Sequence, residues 1–187
     1  MGYGEISTVF ELKSKRMSGL AFKRMSIFKY QDELDKYITA YTNYNQLLEN
    51  QVGIGLPGHG YAIINSPSGR PVFYIIQHKV PAYSLGNNAI HLLNRAGIRT
   101  LFLRVLQELH KLWYFNNSQS ANKVSLDGQI SNWVIDGYDP DRQELDQDVS
   151  LLYIDTSTPL YLIDGVEQFD PELILRTTPR LLAMIIR

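Results

Sequence analysis

Asp127-Gly128-Gln129-Ile130-Ser131-Asn132, followed at once by Trp133-Val134-Ile135, is the stretch on which the fold turns. Asp-Gly between two apolar runs is a common hairpin turn. On that reading residues 123–126 and 133–135 are partners in one hairpin, and the chain is an ordinary α+β binding domain. The same stretch is also an aspartate and an asparagine with four residues between them, closing a strand that follows a long helix. What stands on either side decides between the two.

Upstream, residues 98–115 carry Leu101, Val105, Leu109 and Leu112 at helical spacing, and residues 88–94 read as a short helix. Downstream, the acidic stretch 136–148 reads as a solvated loop. Short strands are expected at 151–154 and 160–163, and helical pieces at 173–176 and 180–186. Asp155 closes the first of these strands.

The N-terminal part has a different character. Residues 7–13 (STVFELK) and 20–25 (LAFKRM) read as strands, with Ser18-Gly19 as turn chemistry between them. Residues 30–49 have a helical stripe of Leu34, Ile38, Tyr41 and Leu48, with Tyr30, Tyr37 and Tyr44 beside it. The glycine-rich stretch 52–60 is a loop. Residues 61–65 and 72–78 are strands joined by Ser66-Pro67-Ser68-Gly69. The order is strand, strand, helix, strand, strand, and a boundary is expected near residues 79–85, dividing the chain into 1–80 and 81–187.

Composition narrows the classes. The 187 residues are 44% hydrophobic and 20% charged, enough to bury a core. A net charge of −1 offers no basic surplus for nucleic acid. The absence of cysteine rules out disulfides and thiolate zinc sites. No run of about 18 apolar residues could span a membrane, and the first residues lack the pattern of a signal peptide, so a cytoplasmic protein is expected. His59, His78, His91 and His110 lie in separate elements and form no ligand pair.

Three further motifs matter. Gly2-Tyr3-Gly4-Glu5-Ile6-Ser7-Thr8-Val9 is a glycine-bearing loop whose small residues let backbone N–H groups approach phosphates. By itself it is equally a flexible start with two turn glycines. Lys23 sits inside an apolar strand, where an ammonium needs a partner; it is otherwise a lysine on the open face of an edge strand. Asp155, at a strand end, is either a hard-oxygen metal ligand or the cap of a turn.

Taken in order, the glycine loop, strand lysine, helix, two strands, linker, long helix, Asp-x-x-x-x-Asn, strand and aspartate resemble the protein-kinase-like superfamily, nearer its aminoglycoside-phosphotransferase-like branch than the classical protein kinases. The resemblance runs from Gly2 to about Asp155. It implies an α+β, two-lobed fold, with an antiparallel N-lobe sheet carrying one helix and a reduced, mainly helical C-lobe. ATP would lie between the lobes. Gly2 and Gly4 would cover its phosphates and Lys23 would bind them, braced by Glu33 or alternatively by Glu49. Adenine would meet the linker around Gln77 and Lys79. Asn132 and Asp155 would hold Mg2+, and Asp127 would act on the acceptor hydroxyl. The acceptor, a small molecule or a protein, is not named by any motif.

The motifs depart from the family in places. Ser125 and Leu126 replace the histidine and the arginine or glycine before the catalytic aspartate, Gln129 replaces a basic residue, and Thr156-Ser157 replaces Phe-Gly. The strand that should precede Gly2 is absent, and few residues follow Asp155. A truncated product or a minimal member is expected, in which a partner or a second copy covers apolar surface. The expected activity is a phosphotransferase using ATP and magnesium on a hydroxyl. The alternative is a pseudokinase-like interaction or nucleotide-binding module without catalysis.

Overall fold

The computed structural model describes residues 2–3, 8–67, 69–118 and 121–176. The chain is α+β, and it divides into two compact units. The first contains Met1–Ala40, Gly58–Lys79 and Phe169–Arg187; the second contains Tyr41–Pro57 and Val80–Gln168. A single cut at residue 80 therefore does not describe the division. The chain passes from one unit to the other four times, once inside a helix.

Among the described residues the first unit holds five strands: β1 (Gly2–Tyr3), β2 (Thr8–Phe10), β3 (Leu20–Met25), β4 (His59–Asn65) and β5 (Pro71–His78). They form one antiparallel sheet in the order β1-β2-β3-β5-β4. Helix α1 (Gln31–Gln46) enters the chain between β3 and β4. Leu34 of its apolar stripe and Tyr37 beside that stripe enter the first unit's core, where both are buried with Met25, Phe28, Phe73 and Ile75. The Tyr37 ring lies 5.1 Å from Phe28 and 5.3 Å from Phe73, edge-on to the latter, and its hydroxyl donates to Met25 Sδ. Aromatic pairs in this geometry contribute beyond the area they bury.

In the second unit α1 runs on into a π-helical turn, Leu47–Val52, ended by Gly53 at φ 80°. A left-handed residue there is cheap only for glycine. Helix α2 (Gly86–Ala89) is a single turn, shorter than the 88–94 expectation. Helix α3 (Arg95–Ser118) buries Leu101, Val105 and Leu112 of the expected stripe and Phe115 beyond them, while Leu109 is half-buried. It also buries Glu108, which is tolerable because Lys111 and Arg104 on the same helix lie 2.6 Å and 3.6 Å from its carboxylate.

The remaining strands are short. β6 (Asn122–Val124) pairs with β9 (Tyr161–Ile163), and β9 pairs with β10 (Val166–Glu167); β7 (Trp133–Ile135) pairs with β8 (Leu151–Tyr153). The second unit is thus less helical than expected, since among its described residues α3 is the one long helix beside two small antiparallel sheets. Helix α4 (Glu172–Leu175) belongs to the first unit. The expected piece at 180–186 lies outside the described residues. No helix among those described is long and apolar enough to cross a membrane.

Candidate functional site

The Asp-Gly hairpin does not form. β6 and β7 flank the stretch, yet each pairs with a different strand. Residues 125–132 instead make a folded connection. The Gln129 N–H donates to Asp127 Oδ1 at 3.1 Å, the Asn132 N–H to the Gln129 carbonyl at 2.9 Å, and Asn132 Nδ2 to the Asp127 carbonyl at 3.2 Å. Gly86 backs this connection so closely that a Cβ added to it would stand 2.4 Å from the Ile130 carbonyl oxygen.

Pairing of Trp133 with Tyr153 fixes the rest. One step beyond that pair, the Ile154 N–H donates to the Asn132 carbonyl at 3.0 Å. Asn132 and the Ile154–Asp155 segment therefore stand at the same end of the β7–β8 ribbon, with Asp127 tied to Asn132. Asp127 is exposed, while Asn132 and Asp155 are half-buried. The Ser157 hydroxyl donates to Asp155 Oδ1 at 2.8 Å, and Thr156 and Ser157 are buried.

Two tyrosines complete this end of the unit, and no motif in the sequence marks them. The Tyr153 hydroxyl accepts the Asp127 N–H at 3.2 Å, and the Tyr44 hydroxyl donates to the Ser125 carbonyl at 2.7 Å. Burial pushes both phenols well above the usual tyrosine range; for Tyr153 the Asp155 carboxylate adds to this, and for Tyr44 first Tyr153 and then Asp155. Both therefore stay neutral hydrogen-bonding groups beside two carboxylates. The only trace in the sequence was the position of Tyr44 beside the apolar stripe of its helix and of Tyr153 in the strand before Asp155.

Among the described residues no three His, Asp or Glu side chains gather into a metal-binding group. The donor set at the ribbon end is an amide and a carboxylate. With Nδ2 committed to the Asp127 carbonyl, Oδ1 of Asn132 is the atom left to ligate. Two hard oxygens suit magnesium, which keeps phosphate and water in its remaining positions, so these residues fit that ion.

In the first unit, Lys23 pairs with Val9 on one side and Ile75 on the other; Val9 pairs onward with Gly2, and Ile75 with Tyr61. One row across the sheet thus reads Gly2, Val9, Lys23, Ile75, Tyr61. Side chains alternate along a strand, so Lys23 shares its face with Met25, which contacts Tyr37 of α1. Lys23 is half-buried on the helix-bearing face of an interior strand, not on an open edge. Phe22 and Arg24 take the opposite face, where Phe22 stacks on Phe10 at 5.8 Å. Gly2 lies in β1; Gly4 lies outside the described residues.

Glu33 requires a correction. Its two oxygens take the Arg176 guanidinium at 2.7 Å and 2.8 Å, and Oε2 also accepts the Lys29 and Tyr30 N–H groups at 2.8 Å and 3.4 Å. The carboxylate caps the first turn of α1 and holds Arg176 instead of bracing Lys23. Glu49, the alternative, is exposed in the π-helical turn of the second unit. At the linker, Gln77 pairs with Ala21 and His59, and the Lys79 ammonium reaches Glu11 at 2.9 Å on the surface. The His78 and Lys79 N–H groups donate to the Gly58 and Gly19 carbonyls. Neither amide is left for a base, so a purine read here would use the carbonyl oxygens or neighbouring groups.

The chain belongs to the family of unknown function DUF6206, whose model matches residues 2–169. No curated protein matches it.

Proposed function

We propose that the protein is a kinase-like phosphotransferase that uses ATP and magnesium to phosphorylate a hydroxyl. The observation that carries this reading is the grouping of Asp127, Asn132 and Asp155 at one end of the β7–β8 ribbon. Support also comes from the antiparallel five-stranded sheet with one helix inserted before its fourth strand, and from a half-buried lysine on its helix face. On this reading Lys23 binds the phosphates, and Asn132 and Asp155 hold magnesium, which when bound neutralises phosphate charge. Asp127 takes the proton of the acceptor hydroxyl as its oxygen bonds to the γ-phosphorus and ADP leaves. Its Oδ1 already accepts the Gln129 N–H, which aims the carboxylate and leaves Oδ2 for the proton. Catalysis of this kind is mostly positioning and charge neutralisation.

A second reading, a nucleotide-binding or interaction module without turnover, is favoured by Ser157. Its hydroxyl donates to Asp155 Oδ1 and so competes for an oxygen the metal would use. One experiment separates the two. Thermal melting with and without ATP and Mg2+ tests binding, and release of ADP with a panel of hydroxyl acceptors tests transfer. A magnesium-dependent shift together with turnover lost in Asp127→Ala supports the phosphotransferase. A shift without turnover supports the module. No shift under either condition removes the phosphotransferase and the nucleotide-binding module alike.

A further inference from the structure

Away from the ribbon end, the first half of α3 forms one wall of a groove of about 970 Å³, and Gln147, in the loop after β7, closes its other side. Three guanidiniums, from Arg95, Arg99 and Arg104, line it, with the Thr100 hydroxyl and the Gln107 and Gln147 amides among them; no carboxylate lines it among the described residues. Arg104 is already in use, donating to the Val149 carbonyl at 2.9 Å and lying beside Glu108. Arg95 and Arg99 are exposed, stand one helical turn apart, and make no ion pair or side-chain hydrogen bond among the described residues.

This arrangement needs explaining. Two unneutralised guanidiniums one turn apart repel each other. The acidic loop after β7 passes close by, and its carboxylates could have compensated them. Two of them are engaged elsewhere: Glu144 accepts from Asn94, and Asp146 is held by Arg142 at 3.1 Å. The loop is thus tied to the start of α3, and among the described residues none of its carboxylates lines the groove.

We propose that this groove binds a small phosphate-bearing ligand, held by Arg95 and Arg99 with Thr100 and Gln147 as neutral donors. Guanidinium forks match phosphate oxygens in bidentate geometry and keep their charge at every physiological pH. The site is independent of the nucleotide site proposed above, since it shares no residue with it.

The test is calorimetric titration of the whole chain with inorganic pyrophosphate in EDTA, without nucleotide. Binding is expected, weakened about tenfold or more in Arg95→Gln/Arg99→Gln, as for loss of charge-assisted hydrogen bonds. Arg99→Lys keeps the charge but loses the fork, and should weaken binding by a smaller factor. Lys15→Gln, a surface change outside the groove lining, should bind as the wild type does. Absence of binding at millimolar pyrophosphate, equal binding by the double variant, or loss confined to Lys15→Gln would each overturn the proposal. Both arginines are exposed, so unchanged melting of the variants verifies that the fold is intact.

Discussion

Arg176 grips Glu33 through two hydrogen bonds of 2.7 Å and 2.8 Å, joining residues 143 positions apart in the sequence. The same guanidinium donates to the Ile27 carbonyl at 3.2 Å. This ties the last described turn of the chain to the start of α1. The carboxyl of Glu33 is held down from its ordinary value of 4.5 to about 2, first by the Arg176 hydrogen bond and against the opposing effect of burial. A depressed carboxylate stabilises the fold in full above pH 4.5, and the contribution is lost as pH falls from there towards 2. Arg176→Ala should therefore cost about 1 kcal/mol at neutral pH, the pair being partly solvated. The gap between variant and wild type in urea melts should close as the pH approaches 2.

Alkaline pH should act through the tyrosines. Tyr44 and Tyr153 are both raised above the ordinary 10.0 by burial. A raised acid stabilises fully below pH 10.0 and loses its contribution as the pH climbs beyond it. Stability should fall above pH 10. Spectrophotometric titration should show phenols that ionise only as the protein unfolds, fewer in Tyr44→Phe/Tyr153→Phe. Tyr44→Phe alone should cost about 1 kcal/mol for the lost hydrogen bond to Ser125.

On the phosphotransferase reading proposed above, Asp127→Ala should reduce phosphoryl transfer by a factor of about 10²–10⁴, the usual contribution of a positioned general base. ATP binding should persist. Asp155→Asn should instead remove the magnesium dependence of the ATP melting shift while leaving the apo protein's melting temperature nearly unchanged.

Gly86→Ala adds only a methyl group, yet that carbon would lie 2.4 Å from the Ile130 carbonyl oxygen. Backbone cannot yield as a side-chain tip does. The variant should lose about 1–3 kcal/mol of stability. Because Ile130 lies between Asp127 and Asn132, any turnover should fall with it, which a melt and an ADP assay on one preparation would reveal.

The strands and long helices were legible in the sequence because periodicity and turn chemistry act locally. Residues 20–25 and 133–135 were bounded correctly as strands, and the 98–115 helix gained only one turn or less at each end. The Asp-Gly hairpin, the alternative to the Asp-x-x-x-x-Asn reading, does not form because a two-residue turn is a local signal, whereas the partners of β6 and β7 are chosen by distant strands. Glu33 misled for a related reason. Its helical face was readable, but its partner lies at residue 176, and a short stretch of sequence says nothing about a contact so remote. The roles of Tyr44 and Tyr153 were hidden because a tyrosine in an apolar stripe looks like core. Only the strand register reveals where its hydroxyl ends.

The row that runs Gly2, Val9, Lys23, Ile75, Tyr61 has a consequence for how this chain can vary. Insertions in the connection before Leu20 leave the pleat untouched and should be silent. Deleting one residue inside Leu20–Met25 would invert it, sending the ammonium to the far side and bringing Phe22 or Arg24 against α1. Homologues should therefore differ in length freely at 11–19 and scarcely at all within the six residues that follow.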